Sequence, residues 1–236
     1  MPAPPAPAAI GAAMSDLSAK SETAPALAIS ALDLAALLCS RVCHDVISPV
    51  GAIVNGLEVL EDEDSADMRE VALDLIAKSA RQASARLQFT RLAFGAAGSA
   101  GATIDTGDAE TVVRGMMEDQ RTRIEWTLPR ELQPKNRVKL LLNLALLAGT
   151  TIPRGGVITA SAPAGGSAVG FVLTTAGPSA RIPAALPDLT AGRAPGDGLD
   201  AHAIQPYYAG LLARECGLVI AFSQDGDTVT LTALPA

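Results

Sequence analysis

Only two histidines occur in the 236 residues, and one sits in a setting that invites chemistry. His44 lies in the run Arg41-Val42-Cys43-His44-Asp45-Val46-Ile47-Ser48-Pro49-Val50. A helix turns by ~100° per residue, so with Val46 at the centre of an apolar stripe His44 points ~160° away from it, into water. Ser48 and Asn55 fall near the same azimuth, with Gly51 and Arg41 flanking. An exposed neutral imidazole keeps one ring nitrogen free as a nucleophile near neutral pH. Phosphoryl transfer to such a nitrogen asks for in-line approach and little else from the acceptor. Asp45 stands where it can orient the other ring nitrogen or take its proton. Pro49 cannot donate to the carbonyl of Asp45, so the helix is expected to bend or loosen there. Spacing alone leaves open the plainer reading of an ordinary surface histidine.

Other candidates carry less. Cys39-x-x-x-Cys43-His44 has no evident fourth metal ligand. Cys39 falls on the apolar stripe and Cys43 at its flank, which reads as small core residues. His202, beside Asp200 near a helix start, reads as structural or surface. Trp126 in a strand reads as core. Tyr207 and Tyr208 suit either a partner surface or the core. The cluster Ala191-Gly192-Arg193-Ala194-Pro195-Gly196-Asp197-Gly198 lacks phosphate-loop spacing and reads as a flexible loop.

The elements that must hold these residues follow from periodicity. Residues 1–26 are an Ala/Pro/Ser tail without apolar period, expected to be disordered. Residues 27–96 read as a helical hairpin. The first helix runs from Ala31 to Leu60, with Leu38, Val42, Val46, Val50, Ile53, Leu57 and Leu60 on one stripe. The acidic run Glu61 to Ser65 is a solvated loop. Asp67 and Glu70 form a candidate capping box for a second helix ending near Phe94. A single hairpin cannot bury both its stripes, so a second copy of the chain is expected to supply the missing wall as a four-helix bundle. A Gly-rich linker at 97–104 leads to an α/β region at 105–236. There, helices are expected over 108–120, 137–148 and 201–216. Strands are expected over 123–128, 156–160 and 170–174, with a hairpin formed by 217–222 and 228–231. This makes a layer of three helices on a mixed sheet.

Composition narrows the partners. Eighteen basic against 25 acidic residues give a net charge of −7, which argues against nucleic acid. The longest uncharged stretch, between Arg154 and Arg181, is broken by Gly and Pro, so no membrane span is expected. The N-terminus lacks the basic start of a secretory signal, and three cysteines give no even disulfide framework, so the cytoplasm is expected.

The segment His44-Asp45-Val46-Ile47-Ser48-Pro49-Val50 resembles the H-box of sensor histidine kinases, and the order hairpin, bundle, α/β domain resembles theirs over residues 30 to 236. The second domain departs from that pattern. Leu142-Asn143-Leu144-Ala145-Leu146-Leu147-Ala148 resembles the N-box, but Leu147 stands where the Mg²⁺-holding Asn belongs. Val172-Leu173-Thr174-Thr175-Ala176-Gly177-Pro178 resembles the adenine-binding loop, but Thr175 replaces its Asp and Ser179 its second Gly. The Gly-rich lid box is absent. The chain is therefore similar to histidine phosphotransferases of alphaproteobacterial cell-cycle phosphorelays, which keep a kinase-like dimer without a usable nucleotide site.

That resemblance implies an α+β protein: a dimeric four-helix bundle followed by a histidine-kinase-ATPase-like α/β sandwich. It implies that His44 takes phosphate from the receiver aspartate of a hybrid kinase and passes it to response-regulator receivers. The receiver brings the Mg²⁺; no metal or ATP site of its own is expected. The surface for receivers is read as Arg41, Ile47, Ser48, Gly51, Val54 and Asn55, with Lys78, Arg81, Arg86 and Arg91 as complementary charge. Uptake of phosphate is expected to fall in media below the ~6.5 reference of imidazole. A non-catalytic adaptor that docks receivers remains the alternative, and an active kinase with an unusual ATP site a third.

Overall fold

The computed structural model describes residues 29–62, 68–95, 101–163, 169–193 and 199–235. The N-terminal tail, Asp67 of the expected capping box, most of the acidic run and part of the linker lie outside the described residues.

Helix α1 runs Ala31–Glu61. Ser30 caps it, its hydroxyl accepting from the Asp33 backbone N–H at 3.1 Å. Helix α2 runs Arg69–Ala93 and packs back along α1. Pro49 and Gly56 are buried in the seam, facing the side of α2 that buries Ala72, Ser79 and Ala83. A Cβ at Gly56 would stand 2.6 Å from Cγ1 of Ile76, so glycine there leaves room for the Ile76 side chain of α2.

Within one chain the stripe is divided between a covered and an open flank. The flank holding Pro49 and Gly56 meets α2, while the flank holding Val50 and Leu57 stays 40% and 46% exposed. Cys39 and Cys43 share the open flank and are exposed in the single chain, on the face where a second copy is expected to supply the missing wall. The reason is geometric: one neighbouring helix covers only part of an apolar arc that wide. Helix α1 is also long and apolar enough to cross a membrane, the one such helix among the described residues. Sequence reasoning had looked instead to the stretch after Arg154.

The second part is helix on sheet. A short antiparallel pair joins β1 (Thr103–Asp105) to β3 (Leu132–Pro134). The main sheet has five strands in the order β2-β4-β5-β7-β6. These are β2 (Thr122–Trp126), β4 (Gly156–Ser161), β5 (Phe171–Ala176), β6 (Leu218–Asp225) and β7 (Thr228–Pro235). Only β2 and β4 run parallel, so the mixed sheet expected from sequence is present. Helices α3 (Thr106–Met117), α4 (Lys135–Thr151) and α6 (Ile204–Glu215) form the covering layer. Helix α5 (Leu186–Thr190) and the β1–β3 pair were not foreseen: each is too short to leave a period.

Helix α4 is buried nearly all round, with Leu140, Leu141, Leu142, Leu144 and Leu147 in the core. Ile158, Leu173, Val229 and Leu231 meet it from the sheet. Phe89 and Ala93 of α2 belong to the same core, which anchors the C-terminal end of the hairpin to the α/β layer. Trp126 packs at the edge of this core and Tyr207 is buried, whereas Tyr208 is half-buried against Phe94, ring centroids 5.8 Å apart.

Candidate functional site

His44 sits at mid-length of α1 with its side chain 62% exposed. Its Nδ1 stands 3.6 Å from Oδ1 of Asp45, whose own side chain is only 13% exposed. That distance exceeds a hydrogen bond, yet it turns a carboxylate toward one ring nitrogen. Arg41, one turn earlier, donates from Nε to Oδ2 of Asp45 at 3.0 Å and holds the carboxylate in place. A proton on Nδ1 would face this carboxylate. The lone pair is then on Nε2, the nitrogen away from Asp45.

The backbone beneath the site has a specific fault and a specific repair. Pro49 has no N–H for the carbonyl of Asp45, four residues earlier. Arg86 of α2 supplies the missing donor: its Nη1 bonds that carbonyl oxygen. Arg86 is partly buried, so its place is inside the hairpin, which corrects its reading as a charge offered to a partner. The signal was in the sequence: a proline after His44-Asp45 leaves an orphan carbonyl that some donor must meet.

The remaining expected contact residues fall into place unevenly. Ile47, Ser48, Val54 and Asn55 are exposed on α1 around His44. Gly51 has nothing within 4 Å of where a Cβ would project, so it leaves open space beside the imidazole. Arg41 is largely occupied by Asp45. Lys78 and Arg81 are exposed on α2, Lys78 in an exposed ion pair with Asp74 at 2.7 Å. Arg91 lines a groove of about 700 Å³ between the two helices, together with Leu38, Val42, Cys43 and Leu87.

One neighbour of His44 was not foreseen. The ring of His202, from the turn before α6, lies edge-on to that of His44, with centroids 5.2 Å apart and planes at 78°. Oδ1 of Asp200 accepts from the backbone N–H groups of His202 at 2.9 Å and Ala203 at 2.7 Å. These bonds, that of Ala203 foremost, hold the Asp200 carboxyl below the usual carboxylate range. His202 gave no periodic signal, because the contact joins two distant segments of the chain.

Behind it, the positions that resemble a nucleotide site are filled from within. Asn143 is fully buried, and its Nδ2 donates to the carbonyls of Lys139 at 2.9 Å and Ala93 at 3.2 Å. Nε2 of Gln205 donates to the Asn143 carbonyl at 3.1 Å and to its Oδ1 at 3.3 Å. Leu147 is in the core. Thr175 is fully buried, its hydroxyl 2.7 Å from that of Thr151 and donating to the carbonyl of Val229 at 3.2 Å. What remains is a cavity of about 400 Å³ lined largely by Leu146, Leu147, Leu186 and Leu189 and bordered by Arg41, Asp200 and His202. Among the described residues, no three His, Cys, Asp or Glu side chains gather closely enough to hold a metal ion.

Comparison with known proteins adds to this geometry. Residues 106–228 match the family described as the histidine phosphotransferase C-terminal domain. The protein phosphotransferase ChpT of Brucella abortus (strain 2308) is 50% identical over 205 residues, 87% of this chain and 97% of that protein. A solved structure described as a bacterial phosphotransferase superposes with a TM-score of 0.80 at 46% identity, covering 88% of this chain and 98% of the other.

Proposed function

The chain belongs to the histidine phosphotransferase family, and from that premise we propose that it relays phosphate through His44 between receiver domains. The observation that carries this reading is the His44 imidazole: exposed, with Nδ1 toward an arginine-backed Asp45. The Nε2 lone pair attacks the phosphorus of a receiver's aspartyl phosphate in line. The N–P bond forms as the P–O bond breaks, and that electron pair stays on the aspartate carboxylate. The ring, protonated at Nδ1, carries positive charge as the bond forms, and the Asp45 carboxylate stabilises it or takes the proton. The reverse sequence delivers the phosphoryl group to the aspartate of a response regulator.

The donor is a receiver, not a nucleotide. Three features support that part of the proposal. Asn143 is spent on α2 and α6, Leu147 cannot ligate a cation, and Thr175 is bonded to Thr151. The receiver brings the Mg²⁺ that its own phosphate chemistry needs. Ile47, Ser48, Gly51, Val54 and Asn55 form the docking face, with Lys78 and Arg81 steering acidic receivers. The protein acts as a homodimer in the cytoplasm, in a cell-cycle phosphorelay. The half-open stripe of α1 and the exposed Leu87 of α2, 52% accessible, close against a second hairpin as a four-helix bundle.

The test mixes the full chain with a receiver domain radiolabelled on its aspartate. Acid-labile label is expected on the wild type and none on His44→Ala. Label absent from the wild type would leave only an adaptor role. Label taken from ATP alone would overturn the disabled nucleotide site.

A further inference from the structure

Asp45 alone does not fix the His44 ring. Its nearest oxygen is 3.6 Å from Nδ1, and most of the imidazole is in water. A second wall is present, and it comes from the other domain. We propose that His202 is a positioning residue for the phosphoacceptor: its ring, set edge-on against His44, holds the imidazole with Nδ1 toward Asp45 and Nε2 free. This deepens the phosphotransfer reading and rests on it.

The wall is firm enough for the task. Oδ1 of Asp200 bonds the backbone on both sides of the His202 peptide, and the carbonyl of Asp200 accepts from the Ile204 N–H at 3.0 Å. Ile204 is fully buried and Gln205 is tied to Asn143. The turn that carries His202 is thus pinned to α4 through a residue that resembles a nucleotide-site asparagine. A lost ligand site has become the footing of a side chain that faces the reactive ring.

The alternative role for the same contact is a gate that shields His44 until a receiver moves it aside. The two roles have opposite consequences. Removing a positioning ring slows transfer, because the attacking nitrogen spends less time aligned, and small misplacements cost up to ~100-fold in rate. Removing a gate speeds it. An edge-to-face contact needs an aromatic ring and not an imidazole in particular, so phenylalanine substitutes for His202 if position is what matters. The charged groups around the pair are Arg41 and Asp45 from α1 and Asp200 from the turn. All three are retained in these variants.

The experiment uses the full chain as wild type, His202→Ala, His202→Phe and His44→Ala. With only two histidines, ¹⁵N-histidine labelling gives a spectrum of two rings, assigned directly by the variants. The expected wild-type His44 spectrum is one dominant Nδ1–H tautomer. His202→Ala averages it toward a mixture, and His202→Phe keeps it. Phosphate uptake from a labelled receiver falls by roughly 10- to 100-fold in His202→Ala and returns to near the wild-type rate in His202→Phe. Unchanged His44 shifts in His202→Ala, or an equal or faster rate, would overturn the assignment. If the wild type takes no label at all, the phosphotransfer reading fails, and the tautomer spectra still decide whether His202 sets the ring.

Discussion

The hairpin and the α/β layer treat their apolar surface in opposite ways. In α1 only Pro49 and Gly56 are buried, and a flank of leucine and valine stays open. In α4 nearly every side chain is enclosed, the polar Asn143 and Thr151 among them. The hairpin holds His44 outside and leaves its apolar surface half covered. The layer has a finished core, with the positions that resemble a nucleotide site closed by its own hydrogen bonds. The proposed phosphoacceptor thus lies where packing is incomplete, and the positions that resemble a nucleotide site lie where the fold is tightest.

The sharpest way to break this contrast is at the open flank. Leu57→Asp places a charge where a second hairpin is expected to lie. It should convert a dimer to single chains of 24.0 kDa, read by light scattering, while the α/β core melts as before. A wild type that already runs as one chain would remove the reason for the open flank. The next effect lies in the layer. Thr175→Asp restores a carboxylate at the adenine-loop position, but in a fully buried site beside Thr151. We expect a loss of about 3–5 kcal/mol in denaturant unfolding, with no ATP binding in return, since an uncompensated charge is left in the core.

The smallest effect concerns the turn before α6. The backbone hydrogen bond from Ala203 foremost, then that from His202, leaves Asp200 with a folded-state pKa below its ordinary value, so its share of stability is fully present above the ordinary carboxylate range near ~3.9 and is lost as the pH falls through the lowered value. Acid titration should loosen this turn, seen as faster amide exchange at His202 and Ala203, before the hydrophobic core gives way. Asp200→Ala should remove that pH dependence and leave the hairpin unaffected. Because Asp200 is well exposed, the change in global stability should be slight.

Much of this was legible from single residues. The 3.6-residue period gave both long helices to within a residue or two, the alternation in 123–128 gave strand β2, and the apolar runs 156–160 and 170–174 around a Gly/Pro turn gave β4 and β5. His44 stood out because its azimuth opposed the stripe. Two things were missed, each for a physical reason. Arg86 was read as a surface charge because its acceptor is a carbonyl freed by Pro49 on another helix. His202 was passed over because its meaning depends on a contact between domains. Asn143 was noticed for what it resembles, whereas its bonds to Ala93 and Lys139 show what it does here.

The near-contact at Gly56 has a mechanical corollary. Twelve residues separate it from His44, roughly 18 Å along the rod at ~1.5 Å per residue. At Gly56 the missing side chain lets Ile76 of α2 seat against the α1 backbone, so the rods are tightly packed at that end of the hairpin. Near His44 the tie across the seam is the Arg86 guanidinium on its flexible stem. A splaying of the hairpin at the imidazole end would stretch the tether on Asp45's carbonyl.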